Sequence, residues 1–384
     1  YISIVRYFGN RFGRLEMTSA NSVANPKISS LFQPLQVGAV KLQNRLVMAP
    51  LTRGRAGKER IPNELMQEYY VQRASAGLII SEATQISEEG AGWSQSPGIH
   101  TEEQVKGWQK ITEAVHKQGG LIYLQLWHTG RASHPYFQPN SQLPVSASAI
   151  KAEGDAYTEE GKKPYVTPRA LELSEIPRVI QDYVNATKRA QAAGFDGVEI
   201  HAANGYLIDQ FIRDGSNQRT DAYGGSIENR LRFLMEITEA VVKTWSSDRV
   251  GVRLSPTNPF NDMHDSDPIA TFTQASEALN QFNLAYLHIL EALPGHILAA
   301  EGERVGPHMR KAFNGIFIVN VGYDAATGAP AIDHNEADLD AYGVPFIANP
   351  DLPQRYRTDA SLNEADPSTF YTHDSKGYTD YPAL

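Results

Sequence analysis

From residue 31 onward, short apolar runs alternate with longer segments whose apolar residues recur at helical spacing. This alternation is typical of repeated βα units, which build a parallel sheet covered by helices. A doubly wound sheet and a closed barrel both fit it, and the number of runs favours an α/β fold of the eight-stranded TIM (β/α)8 barrel type. The predicted strands are 45–49, 78–81, 121–126, 197–201, 250–254, 285–289, 316–320 and 338–343.

Two of the predicted helices have recognisable ends. Ser226 and Ser174 each precede a helical pattern, and a serine in that position can cap the first turn. Gly194 follows the second pattern just before the fourth strand, where a left-handed residue would end the helix. These signals predict helices that begin after Ser226 and Ser174.

The connection over residues 128–170 is too long for an ordinary loop and is rich in proline, serine and glycine. Loops of that length usually belong to a lid or a binding flap. We expect a small β-hairpin cap over the barrel mouth, within one domain that spans residues 31–384. The tail beyond residue 350 is rich in aromatic residues, and we expect it to pack back onto the barrel.

Composition narrows the class of protein. The chain has 384 residues, a length that a single barrel with insertions can reach. A formal net charge of -9 without a basic cluster argues against nucleic acid or an anionic membrane surface as partner. No apolar run approaches the roughly 18 residues that span a bilayer. The absence of cysteine excludes disulfides, thiolate metal sites and iron–sulfur clusters, and we expect a cytoplasmic protein without a metal.

The first 30 residues form a separate segment. Residues 1–14 contain three arginines and no acid, so they could be a fragment of a transit peptide or an upstream extension before a natural start at Met17. Residues up to 30 are polar and aperiodic, and we expect this extension to be disordered.

Polar residues follow the predicted strands, at the end where the active site of such a barrel lies. Four segments there occur in a distinctive order: NRLVMAPLTR at 44–53, LQLWHTGR at 124–131, HAANGYLIDQF at 201–211 and RTDAYGGSIENR at 219–230. With these segments, the chain from residue 31 to its end resembles the old yellow enzyme family of ene-reductases, of the 12-oxophytodienoate and N-ethylmaleimide reductase type.

The resemblance implies a barrel that binds FMN non-covalently. It implies reduction of the activated carbon–carbon double bond of α,β-unsaturated carbonyl or nitro compounds, with NADPH or NADH as the transient electron donor. The nicotinamide would visit the same pocket as the alkene, because no G-x-G-x-x-G motif follows the first strand. The oligomeric state stays open.

Three residues would carry the chemistry. His201 and Asn204 would donate hydrogen bonds to one substrate oxygen and stabilise the enolate-like charge that develops there. Tyr206 would protonate the α carbon from the face opposite the flavin, since a phenol keeps its proton at neutral pH. The alternatives are a structural histidine and a core tyrosine with a satisfied hydroxyl.

The same resemblance places the flavin ring at the strand ends. Thr52 would donate toward the ring, Gln125 would bond its pyrimidine edge, and Arg253 would stabilise negative charge on it. The alternative for Arg253 is a buried ion pair. The remaining residues expected along the ring are Ala49, Pro50, Leu51 and Ala83.

The phosphate would lie at the loops after the seventh and eighth strands, where backbone N–H groups receive anions. Many family members have arginine immediately after the glycine that corresponds to Gly343, whereas this chain has Val344. We therefore expect backbone amides to carry more of the phosphate binding. The residues expected at the phosphate are Asn320, Val321, Gly322, Gly343 and Val344. The candidate walls of the substrate pocket, which could equally be core residues, are Trp93, Trp127 and Tyr378.

Three other readings compete. A dienoyl-CoA reductase type would need a cysteine-ligated iron–sulfur cluster, which this chain cannot form. A flavin-free barrel aldolase or isomerase shares the fold but would supply a catalytic lysine or a carboxylate and metal set at the strand ends. A catalytically silent flavin-binding protein would not need His201, Asn204 and Tyr206 together.

Overall fold

The computed structural model describes residues 26–384. Its strands are β1 (Leu35–Val37), β2 (Val40–Leu42), β3 (Leu46–Met48), β4 (Leu78–Ile80), β5 (Thr84–Gln85), β6 (Ile122–Trp127), β7 (Val145–Ser146), β8 (Asp155–Thr158), β9 (Gly161–Pro164), β10 (Arg169–Ala170), β11 (Gly197–Ala202), β12 (Val250–Leu254), β13 (Tyr286–Leu290), β14 (Phe317–Asn320) and β15 (Leu339–Tyr342). Its α-helices are α1 (Glu64–Gln72), α2 (Glu102–Lys117), α3 (Ile176–Ala192), α4 (Leu207–Ile212), α5 (Ile227–Thr244), α6 (Pro268–Leu279), α7 (Gly306–Ala312), α8 (Ala325–Asp333), α9 (Val344–Ala348) and α10 (Leu352–Thr358).

Eight of these strands form a closed parallel barrel. They pair in the order β3, β4, β6, β11, β12, β13, β14 and β15, and β15 pairs with β3 to close the ring. Each begins and ends within one residue of its predicted bounds. The TIM-barrel prediction is therefore confirmed.

The lower part of the barrel interior is apolar. The hairpin of β1 and β2 closes it from below, because its turn bonds to the carbonyl of Asp248, just before β12. Gly197 and Gly251 leave room for two tyrosine rings: an added Cβ would lie 2.4 Å from the ring of Tyr123 and 2.2 Å from that of Tyr286. The hairpin thus covers the N-terminal ends of the strands, opposite the ends where the active site of such a barrel lies.

Two helix predictions were confirmed and one was wrong. Ser226 caps α5 by accepting a hydrogen bond from the backbone of Asn229, and Gly194 ends α3 with a φ of +80°. Ser174 does not cap α3, because the chain makes one further turn and the helix begins after Glu175. The Glu175 carboxylate binds Arg169 at 2.6 and 2.7 Å, which holds this turn in place.

The predicted β-hairpin in the long insertion is confirmed. Strands β8 and β9 pair antiparallel, and β7 pairs with β10 at the base of the insertion. The ring of Tyr157 in β8 packs on Trp93 with 5.0 Å between centroids. The hairpin therefore lies over the loops that leave the barrel.

Both ends of the described chain pack onto the barrel. Residues Pro26–Phe32 form a 3-10 helix with Leu31 buried, so the chain is ordered a few residues earlier than predicted. The remaining expectations for the N-terminal extension concern residues 1–25, which lie outside the described residues. Phe370 and Tyr378 in the tail are buried, as expected. Of the helices in residues 26–384, none has the length and apolar composition needed to cross a bilayer.

Candidate active site

The upper part of the barrel interior is polar. The inward-facing side chains of five neighbouring strands form a layer above the apolar core, and all are at least nine-tenths buried. They meet because their strands are in register: Gln125 opposes Glu199, and Arg253 opposes both His201 and His288. The members of this layer are Gln125, Glu199, His201, Arg253, His288 and Asn320.

Glu199 lies at the centre of one hydrogen-bonded group. Its Oε1 accepts from Gln125 Nε2 at 2.7 Å, and its Oε2 lies 2.9 Å from His288 Nδ1. Burial alone would raise the pKa of the Glu199 carboxyl, but the hydrogen bonds from His288 and Gln125 and the charge of Arg253 outweigh burial, and the net pKa lies below its usual value. The carboxylate is therefore ionised and accepts hydrogen bonds on both oxygens.

Arg253 of β12 is held by a side chain from β14, which lies two strands away in the barrel. Its Nη2 donates to Asn320 Oδ1 at 2.6 Å, and Asn320 Nδ2 donates in turn to the backbone of Ala341 at 2.5 Å. Because the Asn320 amide is itself bonded to the backbone, it holds the guanidinium in one orientation. The arrangement keeps a positive charge in the upper barrel, where it can meet an anionic group of a ligand.

His201 lies at the end of β11 and is 3% exposed. Burial above all, and then the positive charge of Arg253, hold its pKa well below the usual value, so the imidazole is neutral. Its Nδ1 has no hydrogen-bond partner among the described residues. Because buried polar atoms are nearly always bonded, this position is suited to a ligand.

Asn204 follows in the left-handed region, with a φ of +58°. Its backbone N–H donates to Ser255 Oγ at 2.7 Å, and its carbonyl accepts from Asn261 Nδ2 at 2.8 Å. Its Oδ1 accepts from Asn258 Nδ2 at 2.7 Å, which fixes the orientation of the amide. The Asn204 Nδ2 donor is thereby left for a group outside residues 26–384.

Tyr206 lies two residues after Asn204, immediately before α4. Its ring meets His201 edge-on at 5.0 Å and Trp127 edge-on at 5.1 Å. Trp127 is itself buried and its Nε1 lacks a partner among the residues described. His201, Asn204 and Tyr206 thus occupy one end of β11, with Trp127 as a wall.

The residues predicted for the cofactor lie around this group. Ala49, Pro50 and Ala83 are buried at the ends of β3 and β4, with Leu51 and Thr52 half-buried beside them. An apolar side together with an amide and a guanidinium in the polar layer suits a flavin ring, so these residues fit FMN.

The loop after β14 is strained. Val321 and Gly322 have φ values of +86° and +87°, and the positive φ of a β-branched residue costs about 1–3 kcal/mol. Such strain is typical of ligand clamps. Val344, after the next strand, is 45% exposed and brings no charge to this position.

Of the three candidate pocket aromatics, Tyr378 lies in the core, which is the alternative that the sequence left open. It is fully buried, stacks on Tyr69 at 4.1 Å, and lies under the guanidinium groups of Arg53 and Arg55. It is a core residue because these arginines bind the carbonyls of the tail and draw it inward. The half-buried Tyr371, which sequence reasoning passed over among the tail aromatics, instead contacts Trp93 at 5.1 Å.

Sequence reasoning also missed Glu199, His288 and Asn258. Glu199 and His288 each interrupt an apolar strand, and a charged or polar residue inside such a run is the available signal. Asn258 gives no sequence signal, since it lies in a loop and acts only through Asn204.

Known proteins resemble the chain along most of its length. Residues 30–363 match the NADH:flavin oxidoreductase / NADH oxidase family. The 12-oxophytodienoate reductase 1 of Oryza sativa subsp. japonica is 45% identical, over 92% of this chain and 93% of that protein. The 12-oxophytodienoate reductase 2 of Arabidopsis thaliana is 42% identical, over 96% of this chain and 99% of that protein.

Solved structures agree. The old yellow enzyme homologue from Zymomonas mobilis has a TM-score of 0.90 and 48% identity, covering 92% of this chain and 99% of that chain. Morphinone reductase in complex with tetrahydroNAD has a TM-score of 0.88 and 49% identity, covering 92% of this chain and 97% of that chain. The chain belongs to the NADH:flavin oxidoreductase family, the old yellow enzyme family, and is an FMN-dependent oxidoreductase that reduces activated alkenes with a nicotinamide donor.

Proposed function

We propose that His201 and Asn204 hold the oxygen that activates the alkene and that Tyr206 protonates the α carbon. One observation carries the proposal: the buried His201 Nδ1 has no hydrogen-bond partner among the described residues, and the Asn204 amide, three residues later, is oriented so that its N–H group is left for a ligand. The alkenes are conjugated carbonyl or nitro compounds, since these present the oxygen that two donors would bind.

The two donors act on developing charge. Hydride arrival at the β carbon moves negative charge onto the activating oxygen, and preorganised donors stabilise that charge more than the ground state. Each such donor is typically worth about 3 kcal/mol of barrier. His201 is neutral, so it contributes a hydrogen bond rather than a full charge.

Tyr206 would complete the reduction by donating the proton to the α carbon. Its ring contacts His201, so its hydroxyl belongs to the same end of β11 as the two donors. A positioned acid typically accelerates proton transfer about 100- to 10,000-fold. Trp127 packs against the Tyr206 ring and restricts its motion, and Trp93 with Tyr371 offers an apolar wall nearer the surface.

The upper barrel would hold FMN. Gln125 and Arg253 would bind the pyrimidine edge, Thr52 would donate toward the ring, and Ala49, Pro50, Leu51 and Ala83 would line it. The phosphate would rest on the backbone of Asn320, Val321, Gly322, Gly343 and Val344. When bound, FMN supplies hydride chemistry between nicotinamide and alkene. NADPH or NADH would use the same mouth, in a cytoplasmic protein whose residues 31–384 form one FMN-binding domain.

The first test measures whether the purified protein contains FMN. Purified protein should carry about one FMN per chain by absorbance, and anaerobic NADPH or NADH should bleach it. Added cyclohexenone should restore the absorbance, whereas the unactivated alkene cyclohexene should not. A protein that takes up no FMN on reconstitution, or that responds equally to both alkenes, would contradict the proposal.

A further inference from the structure

Three buried side chains from three strands meet in the upper barrel: Gln125 of β6, Glu199 of β11 and His288 of β13. None is more than 1% exposed. Of these, only Gln125 has a part in the proposed function, as the residue at the pyrimidine edge. Glu199 and His288 form an ionisable pair without an assigned role. Burying such a pair costs free energy unless well-oriented hydrogen bonds replace the lost water.

Glu199 dictates which end of the Gln125 amide faces it. An ionised carboxylate can only accept hydrogen bonds, so the amide nitrogen must point toward it. The 2.7 Å bond from Gln125 Nε2 to Glu199 Oε1 has this sense. One N–H of the amide is thereby used, and the second N–H and Oε1 are left as an adjacent donor and acceptor.

That remaining pair matches a pyrimidinedione edge. The edge of a flavin pyrimidine offers a ring N–H beside a carbonyl oxygen, and an amide acceptor beside an amide N–H complements both. The opposite amide orientation would place the nitrogen where the ring N–H lies, and two donors would face each other. Recognition therefore depends on what fixes the amide.

We propose that Glu199 is a positioning residue that fixes the Gln125 amide in the orientation that recognises the pyrimidine edge of FMN, with His288 holding the carboxylate. The inference rests on the proposed function, because it concerns the cofactor of that same site. Neutral His288 donates its Nδ1–H to Glu199, which leaves Nε2 as the nitrogen without a partner among the described residues. The ionised state of Glu199 agrees with its lowered pKa.

The pair has a second consequence. The charge of Arg253 acts on Glu199 and contributes to the lowering of its pKa. Replacing Glu199 by glutamine removes the negative charge and keeps the shape. The positive charge of Arg253 then dominates, which favours the reduced, anionic state of a ligand at that edge and makes its reduction potential more positive.

The experiment uses Glu199→Gln and measures FMN affinity by the quenching of FMN fluorescence on titration with apoprotein. The dissociation constant should rise about tenfold to hundredfold, the usual effect of losing a hydrogen bond to a charged group. The reduction potential of bound FMN should become more positive. Asp340→Asn is the matched control, because Asp340 is a buried carboxyl outside the barrel interior, and it should change neither quantity.

A double-mutant cycle separates positioning from general stability. In a Gln125→Ala background, Glu199→Gln should change the FMN dissociation constant less than about twofold, since there is no amide left to orient. An equal loss in both backgrounds would overturn the inference. So would a Glu199→Gln variant that binds FMN like the wild type at an unchanged potential.

Variants of His288 keep the test decisive should Glu199→Gln fail to fold. His288→Leu leaves the carboxylate without support and should weaken FMN binding, whereas His288→Asn keeps an N–H donor and should restore most of it. Equal affinity in both variants and the wild type would overturn the inference. A wild type that takes up no FMN would instead overturn the proposed function.

Discussion

Glu199 and Asp340 are both fully buried carboxyl groups on barrel strands, but they face opposite sides of the barrel wall. Glu199 faces inward and bonds to Gln125 and His288. Asp340 lies between the inward-facing Leu339 and Ala341, so it faces the helix layer, and neither of its oxygens has a hydrogen-bond partner among the described residues. Partners keep the pKa of Glu199 below the usual value, whereas burial holds that of Asp340 well above it.

Buried polar atoms without a partner occur on both sides of the barrel wall, but they have different consequences on the two sides. At the C-terminal ends of the strands, His201 Nδ1 and Trp127 Nε1 lack a partner among the described residues and lie where a ligand of such a barrel binds. Behind the wall, Asp340 lies against α8, so close that a Cβ on Gly328 would be 2.2 Å from its Oδ2. We therefore expect substitutions of polar groups at the mouth to change the rate of alkene reduction. Substitution of Asp340 should change only the free energy of unfolding.

The largest effect is expected at Tyr206. Tyr206→Phe removes the proton donor and keeps the ring contacts, so kcat/KM for cyclohexenone should fall about 100- to 10,000-fold. Reduction of the bound FMN by NADPH and the unfolding temperature should stay near wild-type values. Steady-state kinetics with product analysis, beside a thermal melt, measures all three. An unchanged alkene rate would show that Tyr206 is only a packing residue.

The next effect is expected at His201. His201→Leu should lower kcat/KM about 100- to 1,000-fold, the usual loss for one oxyanion donor. It should not destabilise the fold through a lost hydrogen bond, because Nδ1 has none among residues 26–384. His100→Leu is the matched control, since His100 Nε2 is also buried without such a partner but lies before α2. Equal losses of kcat/KM in the two variants would show that the unpartnered nitrogen of His201 has no special role at the barrel mouth.

Asp340→Asn should act on stability alone. The raised pKa means that the folded state binds the proton more tightly than the unfolded state, so wild-type stability is fully present below about pH 4 and falls as pH rises toward the folded pKa. At pH 8 the variant should be more stable by about 1–3 kcal/mol, because the folded wild type must keep a proton on Asp340 that the unfolded chain releases, whereas asparagine is neutral at every pH. Urea unfolding at pH 5 and pH 8 tests this, and an equal difference at both values would contradict it.

The smallest effect is expected at Val344. Val344→Arg adds a cation at an exposed position after β15, where the phosphate would rest. A half-exposed ion pair contributes about 1 kcal/mol, so FMN should bind about fivefold more tightly, and less so at high salt. Fluorescence titration at two salt concentrations measures this. A salt-independent affinity equal to that of the wild type would place the phosphate elsewhere.

Most of the fold was predictable because the barrel strands are continuous apolar runs, as expected for strands buried on both faces. His201, Asn204 and Tyr206 were predictable because they lie close together in one segment. The Glu199 group was not, since Gln125 and His288 are 74 and 89 residues away from Glu199 and meet it only through strand register. Tyr378 and Tyr371 could not be distinguished either, because the carbonyl contacts of Arg53 and Arg55 decide which one is drawn inward.

The most direct test is a single anaerobic turnover. Enzyme reduced by one equivalent of NADPH is mixed with cyclohexenone, and flavin absorbance and cyclohexanone are followed together. We expect one cyclohexanone per FMN, formed in step with the return of absorbance and slowed in Tyr206→Phe but not in Asp340→Asn. Absorbance that returns without cyclohexanone, or with the same rate in both variants, would contradict the assignment of the barrel mouth.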